Sequence, residues 1–142
     1  MYDLCVIGGW PAGMMAAARA AELGAKVILL EKNPGLGKKL LITGGGRCNV
    51  TNAQYDVRTF LKKYKDSDKF LFSAFSQFDV RAALEFFNGR GMPTKVEAEN
   101  RVFPVSDSAQ SVWDVLVEAL KKNKVEIKTN TTVSKIESKN EK

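Results

Sequence analysis

Two stretches of this sequence carry residue types and spacings that could do chemistry, and both are rich in glycine. The first is Gly8-Gly9-Trp10-Pro11-Ala12-Gly13, with Glu31 eighteen residues beyond Gly13. Glycine lets a chain turn sharply and lets backbone approach a ligand closely. A helix N-terminus offers unpaired N–H groups and a partial positive charge to a phosphate. A glycine turn that feeds a helix, with an acid at this distance, points to a dinucleotide. Its pyrophosphate would lie on Gly8–Gly13 and a ribose hydroxyl would donate to Glu31. Trp10 stands where G-x-G-x-x-G has its middle glycine, the one that lets backbone approach the pyrophosphate. Its ring either points away or blocks the phosphate site. Pro11 suits an early helical position, where its missing N–H does no harm.

The elements around this turn make the fingerprint specific, because a glycine pattern alone is weak. Tyr2–Ile7 ends in a short apolar run that suits a strand buried on both faces, as in a parallel sheet. Met14–Leu23 is rich in Ala and Met and reads as a helix, with Gly24 at its C-cap. Lys26–Leu30 reads as a second short strand, closed by Glu31. The fold class is α/β, a Rossmann-type three-layer FAD/NAD(P)-binding fold, and residues 1–142 read as its N-terminal part.

The second stretch runs from Glu31 through Lys32, Lys38 and Lys39 to Gly44-Gly45-Gly46-Arg47-Cys48-Asn49-Val50-Thr51-Asn52. Three successive glycines allow close backbone approach to a ligand. Lys38, Lys39 and Arg47 bring cations, and Arg47 has the planar fork that grips phosphate through two bonds. Asn49 and Asn52 offer donors and acceptors to a cofactor ring or sugar. Cys48 is a candidate redox thiol if Arg47 lowers its pKa; packing is the alternative. Cys5 lies in the first strand and is its partner only if the fold brings the two together.

V-I-G-G-x-P-A-G together with E-K-N-P-G-L-G-K-K-L-L-I-T-G-G-G-R-C-N-V-T-N resembles a family of bacterial flavoproteins, the aminoacetone-oxidase-type, BaiN/YhiN-like NAD(P)/FAD-dependent oxidoreductases. Asn100–Pro104 is similar to the family's later R-V-F-P segment and Ser108–Leu120 to the helix after it, so the resemblance covers the chain. It implies FAD on Gly8–Gly13 with Glu31 on the adenosine ribose, the Arg47–Asn49 segment along the flavin end, and a backbone contact from Val133 to the adenine. It also implies a small organic substrate, with NAD(P)H or oxygen as redox partner of the intact enzyme. Trp10 departs from the family pattern, and the family's chains are much longer, with an inserted substrate domain and further FAD-domain strands.

Beyond these stretches, Asp56–Tyr64 and Asp68–Phe78 read as helices, the second with Leu71, Ala74, Phe75 and Phe78 as a core stripe. Asp79 is a helix N-cap ahead of Val80, Ala83, Leu84 and Phe87, and Asn88–Gly91 ends that helix. Thr94–Glu97 and Arg101–Val105 pair about a turn at Glu99-Asn100. Ser106 to Ser108 offer caps to a helix bearing Val112, Val115, Leu116, Ala119 and Leu120, with Trp113 to one side. Val125–Thr129 and Thr132–Glu137 read as strands. Ser138–Lys142 reads as a polar turn with no hairpin partner after it, which leaves an unpaired edge and suggests truncation within a domain.

Composition bounds the rest. Hydrophobic residues are 44% and charged residues 27% of the chain, as in ordinary globular domains. No apolar run approaches a membrane span, and no leader-like segment precedes the first strand. There is no histidine and there are only two cysteines, so neither a zinc site nor a disulfide framework is expected. The cytoplasm is the compartment these features suit. The net charge of +6 comes from scattered lysines. A Lys-rich solvated face accounts for it better than nucleic acid, since the aromatics fall in apolar helical stripes. No residue is assigned as catalytic, because a flavin carries its own redox chemistry. Two other readings stay open: a non-catalytic remnant whose FAD binding Trp10 and truncation have weakened, and NAD(P) on the turn, of which Glu31 would repel the 2′-phosphate form.

Overall fold

The computed structural model describes residues 1–138 and divides into two compact units, one built of Met1–Leu40 with the chain from Leu116 on, the other of Leu41–Val115. In the first unit β2 (Val27–Leu30) lies between β1 (Leu4–Ile7) and β6 (Glu126–Lys128), all parallel. Leu4 pairs with Val27 and Ile28 with Glu126. Helix α1 (Pro11–Glu22) follows β1 directly. Its apolar face is small, with Met14, Ala17 and Ala18 buried, and Val27, Ile28 and Leu29 are buried in β2. Each such aliphatic side chain withdrawn from water contributes roughly 1.5–3 kcal/mol. Gly24, at φ 95, ends the α1 turn as expected.

Two sequence expectations change here. β1 is not buried on both faces: Leu4 and Cys5 are exposed and Ile7 is 51% exposed. An apolar run signals an interior strand, but β1 occupies the edge of this sheet, with no partner on its outer side among the described residues. The second change concerns Thr132–Glu137, which form no strand. The ladder stops at Lys128; Asn130 takes a left-handed φ of 52, and the N–H groups of Asn130 and Thr131 donate to the Asn33 and Glu31 carbonyls outside any strand. The alternation T-T-V-S-K-I is a strand signal only where a partner is in register. Among the described residues the sheet therefore has two unpaired edges, along β1 and along β6. The polar turn expected over Ser138–Lys142 falls, from residue 139, outside the described residues.

The second unit holds an antiparallel sheet in the order β3 (Thr51–Asn52), β5 (Arg101–Pro104), β4 (Thr94–Val96). The β4–β5 turn forms where expected, with Glu99 at φ 59 and Asn100 at φ 58. β3 had no signal of its own, since two residues are too few to show a period. Helix α2 (Val57–Leu61) is capped by Asp56, whose Oδ1 accepts from the Thr59 N–H at 2.8 Å. A kinked 3₁₀ stretch, Lys62–Ser67, leads into α3 (Asp68–Gln77). Helix α4 (Val80–Asn88) starts at the predicted cap, Asp79 accepting from the Ala82 N–H at 2.9 Å. Its Val80 and Phe87 are buried. Helix α5 (Ala109–Lys122) begins in this unit, with the Ser108 hydroxyl accepting from the Gln110 N–H, and ends in the first.

Candidate functional site

The Gly8–Gly13 turn is shaped by close approaches within the first unit. Gly8 takes φ 102, a conformation that disfavours any side chain. A Cβ at position 13 would sit 2.0 Å from the Gly8 carbonyl oxygen, and one at position 9 would sit 2.3 Å from Leu36 Cδ2. The Gly9 carbonyl accepts from the Gly37 N–H at 2.8 Å, which seats Leu36 against the turn. Leu36 and Gly37 were legible only as part of the long second stretch, with no spacing signal for this role.

Glu31 is 2% exposed. Its Oε2 accepts from the Gly9 N–H at 2.6 Å, and its Oε1 accepts from the Asn33 N–H at 2.8 Å and the Asn33 side-chain amide at 2.6 Å. Burial works against the charged form, but the N–H groups of Asn33 and Gly9, the Asn33 amide and the Lys32 charge outweigh it. They hold the carboxyl below its ordinary value. The acid expected to meet a ribose also fastens the turn to the end of β2. Asn33 was missed as its support; an amide two residues past an acid was the available signal. Beside them the Glu31 N–H donates to the Lys128 carbonyl at 2.8 Å and the Thr131 N–H to the Glu31 carbonyl at 2.9 Å. Val133 follows, half-buried.

The N-terminus of α1 fits an anion. Trp10 is its N-cap, with no side-chain hydrogen bond to the cap, no acid in the first turn and Pro11 at the first helical position. Ala12 and Gly13 are thus the first N–H-bearing residues of the helix. Trp10 itself has φ −80 and ψ 167, an extended conformation open to any residue. Its indole is 46% exposed, with Cδ1 3.7 Å from where a Gly8 Cβ would be. The Lys39 ammonium lies 5.6 Å from the indole centroid. The fold therefore accepts Trp10 without backbone strain, and whatever it costs falls on a ligand. Lys32, Lys38 and Lys39 are exposed.

The second unit holds the other predicted residues. Gly44, Gly45 and Gly46 all take positive φ, at 54, 65 and 84. Arg47 Nε and Nη2 donate to Asp107 Oδ1 at 2.9 and 2.5 Å, Nη2 also reaches Glu97 Oε1 at 2.5 Å, and the guanidinium lies 4.2 Å from the Phe103 ring centroid. Lys95 completes the cluster, 2.6 Å from Asp107 Oδ2. The hydrogen bond from Arg47 is the largest influence holding the Glu97 carboxyl below its ordinary value. That from Lys95, then that from Arg47, does the same for Asp107. Arg47 therefore grips carboxylates of its own chain rather than presenting a free fork. Glu97, Asp107 and Lys95 are partners that sequence spacing could not supply.

Cys48 is buried, and burial pushes its thiol up, with only a smaller opposing effect from a Thr43 hydrogen bond. Arg47 does not activate it, since its charge is spent on Glu97 and Asp107. The Asn49 amide nitrogen donates to the carbonyls of Thr51 and Val102 at 2.7 and 3.1 Å. Asn52 gives its amide N–H to the Glu99 carbonyl at 2.8 Å, which leaves its buried Oδ1 without a partner among the described residues. An orphaned acceptor of this kind costs about 1–3 kcal/mol until something donates to it. No group of three or more potential metal ligands occurs among the described residues.

The family model of the HI0933-like protein Rossmann domain matches residues 2–142. The chain belongs to this family. Its fold and kinship are those of the FAD-binding portion of flavin-dependent oxidoreductases. Within it, the chain is 36% identical over 135 residues to a 3-dehydro-bile acid delta(4,6)-reductase of Clostridium scindens, covering 94% of this chain and 32% of that protein. It is 30% identical over 132 residues to the ribosomal RNA dihydrouridine synthase of Escherichia coli, covering 93% of this chain and 32% of that one. The chain thus spans about a third of these relatives' length. In fold it matches the open conformation of a flavocytochrome c3 fumarate reductase, with TM-score 0.71 and 23% identity, over 96% of this chain and 28% of the other. No helix among the described residues is long and apolar enough to cross a membrane.

Proposed function

We propose that this chain holds FAD for a cytoplasmic reductase that saturates a carbon–carbon double bond conjugated to a carbonyl. The observation that carries the cofactor reading is the Gly9–Glu31–Gly13 arrangement: a turn with no room for side chains, a buried carboxylate behind it and an uncapped helix N-terminus in front. In this reading the pyrophosphate lies against Ala12 and Gly13, with Gly8 and Gly9 giving close backbone approach and Pro11 starting the helix. Glu31 accepts from the adenosine ribose. Lys32 and Lys39 add positive charge, and the Val133 backbone meets the adenine. In the second unit the Arg47–Cys48–Asn49 segment would meet a ligand through its backbone, because the Arg47 guanidinium and the Asn49 amide are already engaged.

The reaction class rests on what two relatives' names share. A delta(4,6)-reductase of a 3-dehydro bile acid and a dihydrouridine synthase each saturate carbon–carbon bonds next to a carbonyl. When bound in its reduced form, FAD supplies the two electrons as a hydride to the far carbon, and a proton to the near carbon completes the saturation. NAD(P)H is the proposed source of those electrons in the intact enzyme. No residue of this chain is assigned as the proton donor, and the 142-residue chain alone is expected to bind FAD without turning over substrate.

Titration of the purified chain with FAD tests the cofactor reading. Saturable binding with a shifted flavin absorbance is expected. A chain that takes up no FAD, with or without Trp10→Gly, overturns it. Because Trp10 is unstrained but close to the phosphate site, Trp10→Gly is expected to tighten FAD binding; unchanged affinity means that the indole points away from the ligand.

A further inference from the structure

Glu31 has little left to offer a ligand. An ionised carboxylate accepts about four hydrogen bonds, and three are filled within the chain. Oε1 takes the Asn33 N–H at 2.8 Å and the Asn33 side-chain amide at 2.6 Å, and Oε2 takes the Gly9 N–H at 2.6 Å. A single acceptor position remains, on Oε2, in a residue only 2% exposed. A ribose presents two neighbouring hydroxyls. Glu31 can therefore read one of them and not both.

Asn33 supplies what Glu31 lacks. Its side-chain nitrogen is committed to the Glu31 carboxylate, which fixes the amide with its oxygen on the other side. That Oδ1 accepts nothing among the described residues, and solvent reaches it. The backbone of Asn33 is pinned at both ends, its N–H by Glu31 Oε1 and its carbonyl by the Asn130 N–H at 3.1 Å. Pro34 follows and disfavours helical backbone at Asn33. An acceptor held in place this way loses little freedom when a ligand arrives. The neighbouring Thr131 is engaged, its hydroxyl on the Thr129 carbonyl at 3.0 Å and its N–H on the Glu31 carbonyl. Lys32 offers donors only.

We infer that Asn33 is a specificity-determining residue of the adenosine site: Glu31 Oε2 accepts from one ribose hydroxyl and Asn33 Oδ1 from the other, so that a carboxylate and an amide together read the vicinal diol. The choice of ligand rests on the cofactor reading above, to which Asn33 adds a second reader. Asn33 thus has a double role, bracing Glu31 through its nitrogen and facing the ligand with its oxygen.

Affinities of the chain for FAD and for its 2′-deoxyadenosine and 3′-deoxyadenosine forms test this, read from flavin absorbance. Adenosine diphosphate and its two deoxy forms, read by calorimetry, repeat the test without a flavin. Removing the hydroxyl on Glu31 is expected to weaken binding about tenfold or more, and removing that on Asn33 roughly threefold to tenfold, since a bond to a charged group is the stronger. This arm needs no substitution, and a penalty for only one of the two deoxy ligands overturns the proposal. In Asn33→Ala the ligand that lacks the Asn33 hydroxyl is expected to bind as well as the complete one, while the other keeps its penalty. Asn33→Ser, which retains a donor for Glu31, is expected to do the same. A residue that only braced Glu31 would weaken all the ligands alike and leave both penalties in place, and that result overturns the proposal. So does a penalty that disappears in Asn130→Gly instead, since the amide of Asn130 is the other one beside the site. FAD bound without this pattern sinks the role of Asn33 alone. The pattern with adenosine diphosphate but no uptake of FAD sinks the flavin reading alone, and no binding of either sinks both.

Discussion

A side chain at position 13 would meet the Gly8 carbonyl oxygen at 2.0 Å, whereas one at position 45 would meet nothing within 4 Å. Both positions are glycine, in segments that the sequence presents as equivalent ligand loops. In the Gly8–Gly13 turn, glycine at positions 9 and 13 is fixed by what surrounds it: Leu36 and Glu31 crowd Gly9, and backbone crowds Gly13. At Gly45 it is fixed by backbone conformation, with open space around, and at Gly46 by conformation too, a Cβ there meeting only the Leu41 carbonyl oxygen at an ordinary 3.9 Å. The braces differ in the same way. One buried carboxylate, Glu31, holds the first turn through N–H donors. A half-exposed cluster of Arg47, Lys95, Glu97 and Asp107 flanks the second. Glycine-rich sequence is therefore not one signal: one kind marks close packing, the other marks left-handed backbone.

The sharpest way to break this comparison is Gly13→Ala. Its Cβ collides with backbone, which cannot rotate away, so a loss of about 3 kcal/mol or more is expected in urea unfolding. A loss under about 1 kcal/mol would mean that the turn yields and the contrast fails. The two tryptophans divide between the units, Trp10 in the first and Trp113 in the second, so single-tryptophan backgrounds report each unit separately.

Glu31→Gln comes next. It places an amide where three N–H donors converge, and the buried mismatch is expected to cost about 2–3 kcal/mol and to weaken FAD binding. Its pH dependence has a definite sign. The folded carboxyl lies below its ordinary value, so its contribution is complete above the unfolded value of about 4.3 and is lost as pH falls through the folded value. The Gln variant should therefore show a shallower acid limb of stability, measured through Trp10. An acid limb identical to that of the parent would remove Glu31 as the brace.

Gly45→Ala is expected to cost about 1–2 kcal/mol, from left-handed strain alone, and Gly45→Asn less, since Asn visits this region more readily. Equal losses for the two would show that space, not conformation, limits this loop. The smallest effect belongs to the ion cluster. Glu97 and Asp107 also lie below their ordinary values, so their contribution is likewise lost on the acid side as pH falls through those folded values. Exposure screens it. Glu97→Gln should flatten the acid limb read through Trp113 less than Glu31→Gln flattens that read through Trp10; the reverse order would make the exposed cluster the stronger brace.

Features encoded by neighbours in sequence were legible. The strand, glycine turn, helix and second strand around Glu31 follow from short apolar runs and breakers, the Asp79 cap from a carboxylate that accepts from its own helix, and the Glu99-Asn100 turn from the tolerance of Asn for left-handed backbone. Features that depend on a distant partner were not. Nothing local shows that Asn33 and Gly9 share one carboxylate, or that Arg47 finds Glu97 and Asp107 fifty and sixty residues away. Of the expected α3 stripe, Leu71 and Phe75 are half-buried while Ala74 and Phe78 are exposed, because helical spacing states which residues share a face, not whether anything covers it. Thr132–Glu137 alternates correctly, but a strand needs a neighbour, and the left-handed turn at Asn130 ends the ladder first.

Leu36 fills the space that a side chain at position 9 would need, its Cδ2 2.3 Å from the missing Cβ. The two positions are thus coupled in inheritance. A change that enlarges residue 9 forces the Leu36 side chain to move and still meets Glu31, whereas shrinking residue 36 first leaves a void and relieves only the first of these contacts. Glu31 Oε2 and Cβ, at 3.2 and 3.3 Å from that same missing Cβ, add a second restraint, so position 9 is tied in inheritance to the acid as well as to Leu36.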